Sequence, residues 1–410
     1  MLSPEQLQRL PKNLMQAMED LEDDVLRDIC RRLKLSSTVT ETALQQIRVL
    51  QEQGFSMDYI DRRIQETLQK GQKEIDSMFD EAVERNEQFL KKSLEKSSIT
   101  RPQRDWREAL YGEVEAIRRQ TQDTFRNITK SMGFSIQTGP KPQFYDVAQT
   151  YQRVLDMAAL EGMTGAVDYN TAIRHGVSAL AKSGLQFVDY ASGHRDHADV
   201  AVRRAVMTGV TQCAGRMSET AMETLGTRYV ETTAHSGARD TGEGYLNHKS
   251  WQGRWFYWSR RGERDPLGQY PDFLEETGYG EGGGLCGWNC RHSFYAVIPG
   301  VSRPVYTAEQ LRNIDPPPFT WRGRQYTRYE ATQEARRLER QMRAYKRGLI
   351  ATGDGRDEDE YSVYKAKLRK KSKEYKDFCR AAGLRPQPER ARIEGFGTRE
   401  AGRAKGGYLS

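Results

Sequence analysis

Residues 235–300 hold most of the side chains in this sequence that could do chemistry. Three of the six histidines, two of the five cysteines and four of the six tryptophans fall in this stretch. Cys286, Cys290 and His292 lie within seven positions on a glycine-rich loop. A structural zinc ion takes four nitrogen or sulfur ligands, and this loop offers three of them. One interpretation is therefore a structural zinc site, with His235 as the candidate fourth ligand.

Other interpretations of the same residues stay open. His248 is a second candidate for the fourth zinc ligand. The spacing of Cys286 and Cys290 is wider than the C-x2-C pair of a zinc knuckle, so both could be buried thiols. A disulfide between them is a lesser option, because five scattered cysteines favour synthesis in a reducing cytoplasm.

The histidines could also form an acid–base or phosphate-binding site, as in a nuclease or a transferase. No carboxylate pair accompanies them, and the run at 279–284 (YGEGGG) is not a phosphate loop, because no Gly-Lys-Ser/Thr follows it. The alternative is that polar side chains fasten the loops to one another by hydrogen bonds. We expect this structural role for His235, Arg239, His248, Trp251, Gln252, Arg254, Asn289 and Arg291.

Short strands are expected to position these loops. Residues 229–233, 254–258 and 293–298 have the β-branched and aromatic density of strands. Strands that are separated by glycine-rich loops predict a small sheet whose long loops converge at one end.

The flanking segments have the periodicity of amphipathic helices. The sequence SPEQ at 3–6 is typical of a capped helix start, and apolar residues from Leu14 to Leu33 recur at helical spacing. A polar stretch at 133–142 predicts a linker and a domain boundary. Further helices are predicted at 40–50, 56–83, 106–128, 144–160, 169–181 and 197–217.

These patterns predict an α+β fold, with mostly α-helical, elongated arms around a small, irregular, loop-rich α/β or β motif domain. A chain of 410 residues is long for one core, so several folding units are expected. The predicted units are a helical arm at 1–140, a helical middle domain at 141–228, the motif domain at 229–300, and a basic helical hairpin with a flexible tail at 301–410.

The net charge of +7 comes from the C-terminal part of the chain. Residues 301–410 contain 26 Lys and Arg against 15 Asp and Glu, whereas the first 300 contain 38 against 42. A solvated helix surface would explain this composition, and so would contact with nucleic-acid phosphates or an acidic protein. The candidate nucleic-acid contacts lie on a helix predicted at 361–382 and are Lys365, Lys367, Arg369, Lys370, Lys371 and Lys373.

Two classes of protein are disfavoured by the sequence. No apolar run approaches the roughly 20 residues that a transmembrane helix needs. The first residues lack the apolar core of a secretory signal. We therefore expect neither membrane insertion nor secretion.

Several motifs resemble the phage minor capsid protein 2 family. They include TAHSGAR at 233–239, NHKSWQGR at 247–254 and GLCGWNCRHSFY at 284–295. Patterns in the N-terminal part at 21–32 and in the middle at 189–212 are similar to the same family. One such motif is weakly specific, whereas three in order at fitting spacing are specific.

The resemblance implies a structural, non-enzymatic minor capsid protein in the head of a tailed bacteriophage. Such a virion component would be made in the bacterial cytoplasm and be present in low copy number. Distantly related head-morphogenesis proteins lie near the portal vertex and affect DNA packaging or ejection. The expected partners are therefore portal protein, major capsid protein and double-stranded DNA. The rival hypotheses are a nuclease or ADP-ribosyltransferase-like enzyme seated on His235, His248 and His292, and a free DNA-binding protein of the host.

Overall fold

The fold of the described residues is mostly helical, with small antiparallel sheets, which confirms the predicted α+β class. A computed structural model describes residues 3–37, 58–97, 106–137, 140–147, 169–188, 195–259, 263–353, 358–391 and 393, with single residues between 149 and 161. Among the helices described, none is long and apolar enough to cross a membrane.

The chain divides into two compact units, each assembled from segments that are distant in sequence. The first unit contains Met1–Leu14, Gly71–Phe125 and Val202–Thr332, and the second contains Met15–Lys70, Arg126–Ala201 and Gln333–Ser410. The predicted four consecutive domains differ from this division, because contacts between distant segments build each unit. The sequence-based boundaries stay a prediction.

The helices supply most of the core in both units. In chain order, the α-helices among the described residues are α1 (Pro4–Arg9), α2 (Lys12–Ser37), α3 (Asp58–Ser97), α4 (Trp106–Lys130), α5 (Tyr169–Ser183), α6 (Ala198–Leu225), α7 (His248–Trp251), α8 (Phe273–Thr277), α9 (Ala308–Arg312), α10 (Arg328–Gly353) and α11 (Glu358–Ala381). Short 3-10 helices lie at Gly244–Leu246 and Pro388–Ala391. The predicted helix at 40–50 lies outside the described residues.

The start of the chain follows its sequence signals. The Ser3 hydroxyl accepts a hydrogen bond from the Gln6 backbone N–H, and the Gln6 side chain accepts one from the Ser3 N–H. This reciprocal pair is the predicted cap, and it satisfies two backbone donors at the start of α1. In α2, the apolar stripe that includes Leu14, Met18 and Leu21 is buried, as its period of about 3.6 residues predicts.

The predicted linker at 133–142 is wrong over most of its length, because residues 133–137 and 142 lie in paired β-strands. Strands β1 (Met132–Gln137) and β2 (Pro142–Asp146) pair antiparallel, so the helix predicted to start at residue 144 is wrong there too. Phe134 and Ile136 are both fully buried. A Cβ on Gly133 would lie 1.9 Å from the Tyr145 carbonyl oxygen, so glycine here permits a close strand approach.

Strands β1 and β2 belong to a four-stranded sheet in the second unit. Strands β3 (Gln186–Val188) and β4 (Arg195–His197) complete it, in the order β2-β1-β3-β4, with antiparallel pairing throughout. At the end of α5, Gly184 adopts a left-handed φ of 66°, and its N–H donates to the Leu180 carbonyl. Glycine adopts this conformation without the steric cost of a side chain, so Gly184 closes the helix.

The first unit contains the three strands predicted around the motif residues. These are β5 (Tyr229–Thr232), β6 (Trp255–Tyr257) and β7 (Phe294–Val297), with β5 between the other two and antiparallel to both. A hairpin of β8 (Phe319–Trp321) and β9 (Arg324–Tyr326) lies later in the same unit. The larger sheet packs on an aromatic core whose fully buried members are Trp251, Phe256, Phe273 and Phe294.

The segment predicted to form a C-terminal helical hairpin contains α10 and α11. The Tyr375 hydroxyl donates to Glu339 at 2.7 Å, and the Tyr364 ring lies against Gly348, so α10 and α11 pack antiparallel. Ala391 and Ile393, in the segment predicted to be a flexible tail, are buried, and the flexibility of the tail stays a prediction. Residues 394–410 lie outside the described residues.

A buried network of charged side chains lies in the core of the second unit. Arg343 pairs with Glu19 at 3.1 Å, with Glu22 at 2.9 Å and with Asp199 at 2.8 Å. Arg347 also pairs with Glu22, at 3.1 Å. Because these two guanidinium groups face three buried carboxyl groups, protonation of one carboxyl group would balance the charge.

Glu19 is the member of this network expected to carry that proton. Burial raises its pKa to about 8 from an ordinary value of 4.5, against the opposing effect of Arg343. Asp199, Glu22 and Asp20 raise it further, since they are negative neighbours. Against the opposing effect of burial, Arg347 and Arg343 hold the pKa of Glu22 below its ordinary value.

We expect Glu19 to make the folded protein less stable as the pH rises. Between pH 4.5 and 8 the folded state holds a proton that the unfolded state releases, so stability falls through this window. Glu19→Gln removes this dependence. Its free energy of unfolding, relative to wild type, should rise by roughly 2–3 kcal/mol between pH 6 and 8, at about 1.4 kcal/mol per pH unit.

Denaturation of both proteins at several pH values tests this prediction. Glu81→Gln is the control, because Glu81 forms an ion pair with Arg85 in which both side chains are 42% exposed. A constant difference between Glu19→Gln and wild type from pH 6 to pH 8 would contradict the prediction.

Candidate metal centre

The glycine-rich loop before Cys290 folds into successive tight turns. The Leu285 N–H donates to the Thr277 carbonyl at 2.9 Å, and the Trp288 N–H donates to the Gly282 carbonyl at 2.7 Å. A Cβ on Gly284 would lie 2.1 Å from the Gly278 carbonyl oxygen. The glycines are therefore needed where one turn contacts the backbone of another.

We expect Gly284→Ala to lower the free energy of unfolding by about 1–3 kcal/mol, the usual cost of overpacking. The methyl group would meet backbone atoms of Thr277 and Gly278, which cannot move without opening the turn. Gly283→Ala is the matched control, since its methyl group would meet only the end of the Leu246 side chain. Urea denaturation of the two variants tests this, and equal effects would contradict it.

Three side chains converge beneath this loop. The Cys290 Sγ lies 3.6 Å from His292 Nδ1 and 3.9 Å from His248 Nδ1. All three atoms lie within 4.8 Å of one another, and each residue is at most 3% exposed. The β7 strand begins two residues after His292, and His248 begins the short helix α7, so regular elements position both rings.

Hydrogen bonds on the far side of each ring determine which nitrogen faces the cysteine. The His248 Nε2 lies 2.9 Å from the Gly283 carbonyl, which can only accept, so Nε2 carries the proton. The His292 Nε2 likewise donates to the Gln252 Oε1 at 3.2 Å, since that oxygen already accepts from the His235 backbone N–H. Both Nδ1 atoms therefore present lone pairs toward Cys290.

Burial keeps this cluster uncharged in the protein alone. It lowers the pKa of His235 and that of His248 to about 4. It also lowers the pKa of His292, with His235 and His248 adding to the effect. Burial raises the pKa of the Cys290 thiol, although Arg239 and Arg291 act in the opposite direction. Three neutral imidazoles and a thiol thus lie close together.

Two of the predicted zinc ligands lie beside the group rather than in it. The His235 ring stacks on the His292 ring with centroids 4.3 Å apart, and its Nδ1 donates to the Ser236 carbonyl at 3.0 Å. The Cys286 Sγ lies 3.8 Å from the His292 carbonyl and is fully buried among apolar side chains. His248, the alternative fourth ligand, is instead a member of the group.

A family model matches the chain over most of its length. The model describes phage minor capsid protein 2, and it matches residues 2–380. The chain belongs to this family. It is therefore a structural protein of the phage head and a component of the virion. Comparison with curated proteins found no match, and comparison with solved structures found none either.

The remaining motif residues of this minor capsid protein hold loops together. Arg239 donates to the Gly283 carbonyl at 3.3 Å, and Arg291 donates to the Gly237 carbonyl at 3.2 Å. Arg291 also donates to Gln8 of α1 at 2.8 Å. Arg254 donates to the Ser250 carbonyl at 3.1 Å. These contacts are of the structural kind proposed for the motif, because each guanidinium satisfies a carbonyl or amide oxygen.

The motif tryptophans and Asn289 differ in their exposure. Trp251 is fully buried, and its Nε1 donates to the Tyr245 carbonyl at 2.9 Å. Trp288, from the same glycine-rich loop as Cys290, is 62% exposed. Asn289 is exposed with a left-handed φ of 57°, a conformation that asparagine tolerates better than most residues.

Two acidic residues of this region carried no signal in the sequence. Glu231, in the central strand, is fully buried and accepts hydrogen bonds from Trp255 Nε1 and the Val305 N–H, both at 2.9 Å. Asp315 accepts from the Gly237 N–H at 2.7 Å and pairs with Lys249 at 3.1 Å. A single acidic residue forms no recognisable sequence motif. The partners of Glu231 and Asp315 are therefore known only from the fold.

The predicted nucleic-acid contacts lie on two sides of α11. Lys367, Arg369, Lys370 and Lys373 are exposed, whereas Lys365 and Lys371 are half-buried. Lys371 forms an ion pair with Glu374 at 2.7 Å. The exposed Lys376 lies on the same helix and was not predicted.

Proposed function

We propose that this phage head protein lies near the portal vertex, contacts portal protein, major capsid protein and packaged DNA, and has no enzymatic activity. In this role it would assist head assembly, DNA packaging or ejection, and be present in low copy number. The observation that carries the proposal is a row of exposed basic side chains on α11 in a chain of a minor capsid family.

The DNA-binding surface would be formed by Arg369, Lys370, Lys373 and Lys376. Their spacing of one, three and three residues puts them along one side of the helix, over about 10 Å at a rise of about 1.5 Å per residue. Duplex DNA carries one negative charge per roughly 1.7 Å, so such a row would meet several phosphates. Contacts of this kind attract DNA without reading its sequence.

Duplex binding as a function of salt concentration tests the DNA contact. A triple change of Arg369, Lys370 and Lys373 to Gln should reduce the slope of log K against log salt by about 0.9 for each lost phosphate contact. The control changes Lys73, Lys91 and Lys92 to Gln, which removes the same charge from exposed positions of α3. Equal loss of affinity in both proteins would overturn this surface.

Portal contact is tested on purified heads. Heads assembled with portal protein should contain the chain, at a low ratio to major capsid protein by quantitative mass spectrometry. Heads assembled without portal protein should lack it. Equal incorporation in both kinds of head would contradict the portal contact and favour major capsid protein as the main partner.

The buried state of the histidines supports a non-enzymatic role. His235, His248 and His292 are between 1% and 5% exposed, and their ring nitrogens contact neighbouring protein atoms. A general acid or base must reach a substrate proton, and these rings are enclosed. DNA cleavage or transfer from a nicotinamide dinucleotide by the purified chain, abolished by His248→Asn, would overturn this part of the proposal.

A further inference from the structure

We propose that His248, Cys290 and His292 bind one zinc ion that cross-links the loops of the motif domain. This inference goes beyond the role in the phage head, and it does not depend on contact with DNA or portal protein. The three ligands come from two segments about 40 residues apart in sequence, the start of α7 and the residues before β7, so an ion between them would tie these segments together.

The distances between the ligand atoms suit tetrahedral zinc. With Zn–S of about 2.3 Å and Zn–N of about 2.0–2.1 Å, neighbouring sulfur and nitrogen ligands lie about 3.5 Å apart. The corresponding distances from Cys290 Sγ are 3.6 Å to His292 and 3.9 Å to His248. Both sulfur–nitrogen pairs are thus within a few tenths of an ångström of the separation that a shared ion would impose, and the three ligand atoms all lie within 4.8 Å of one another.

The two imidazoles are already oriented as metal ligands. Their Nε2 atoms donate to the Gly283 carbonyl and to the Gln252 side chain, which leaves both Nδ1 lone pairs directed toward Cys290. Metal-bound histidines usually donate their other ring N–H to such an acceptor. Gln252 is itself held by the His235 backbone N–H at 3.1 Å, so the second layer of contacts is also in place.

The types of ligand indicate a zinc ion, and their burial indicates a structural role for it. Two imidazoles and a thiolate favour zinc over magnesium or calcium, which prefer oxygen ligands. The three residues are 1% to 3% exposed, so the site is closed to a macromolecular substrate. A structural site normally has four ligands, and the fourth would be a water molecule or the nearby Cys286 thiolate.

Metal analysis of the full-length, untagged protein tests the proposal. Wild type should contain about one zinc per chain, and Cys290→Ser should contain less than a tenth of that. Cys213→Ser is the matched control, because Cys213 is also a fully buried thiol of the same unit but is not a member of this group. It should retain full zinc content, while Cys286→Ser shows whether Cys286 is the fourth ligand.

A second measurement covers the case in which Cys290→Ser fails to fold. Wild type is stripped of metal and titrated with Co²⁺, which should produce sulfur-to-cobalt charge-transfer absorption at one equivalent and raise Tm. Absence of that absorption, or a wild-type protein that neither contains zinc nor gains stability from it, would overturn the proposal. A negative result here would leave the DNA and portal experiments unaffected.

Discussion

Arg343→Met is expected to lower the free energy of unfolding by about 3–5 kcal/mol, the usual cost of breaking a buried ion pair from one side. Arg343 is 7% exposed and pairs with Glu19, Glu22 and Asp199 at 2.8–3.1 Å. Its loss would leave three buried carboxyl groups with Arg347 as the remaining guanidinium of the network. Methionine keeps the length of the aliphatic chain, so the loss would come mainly from charge.

Two further variants make this prediction specific. Arg337→Met, on the same helix, removes a pair with Glu334 in which Arg337 is 46% exposed, and it should cost less than about 1 kcal/mol. Adding Asp199→Asn to Arg343→Met should recover part of the loss, because Asp199 pairs with Arg343 whereas Glu22 keeps its pair with Arg347. Urea denaturation measures all three proteins. A cost for Arg343→Met no larger than that for Arg337→Met would show that the network does not stabilise the fold.

Trp251→Ala is the second change with a large expected effect, a loss of about 3–5 kcal/mol in the free energy of unfolding. The Trp251 side chain is fully buried, and its ring centroid lies 4.7 Å from that of His248 and 4.8 Å from that of His292. Alanine would open a cavity beside both rings and leave the Tyr245 carbonyl without its donor. The loops that carry the histidines should therefore loosen together.

Trp251→Phe separates packing from hydrogen bonding in this effect. Phenylalanine fills much of the space but lacks the N–H group, so it should cost about 1–2 kcal/mol, the range of one lost hydrogen bond. Thermal denaturation of wild type and both variants tests the order of stability. If Trp251→Phe were as unstable as Trp251→Ala, the hydrogen bond to Tyr245 would dominate over packing.

Local sequence patterns predicted those helices and strands whose formation is determined mainly by residues close together in the sequence. The capping box at Ser3 and Gln6, the buried stripe of α2 and the three strands around the motif domain were all found at the expected places. The pairing of β1 with β2 was missed. Gly133 and the prolines that follow it were interpreted as a linker, whereas Gly133 is needed for close strand contact.

The candidate metal group was only partly predictable. Cys290 and His292 are two residues apart, so their proximity follows from the sequence, and both were proposed as ligands. The choice of His248 over His235 depends on where two distant loops lie and on how each ring is turned. Ring orientation is determined by the acceptors at Gly283 and Gln252, which no spacing in the sequence reveals.

The sequence by itself determined the family, the α+β class and the placement of basic charge, because motif order, helical periodicity and composition are properties of the chain alone. Tertiary structure decided which side chains meet. Glu22 and Arg343 are more than 300 positions apart, yet they form an ion pair at 2.9 Å. Such pairs form only when packing brings together residues that are far apart in the sequence. Burial in that packed core then raises the pKa of the neighbouring Glu19.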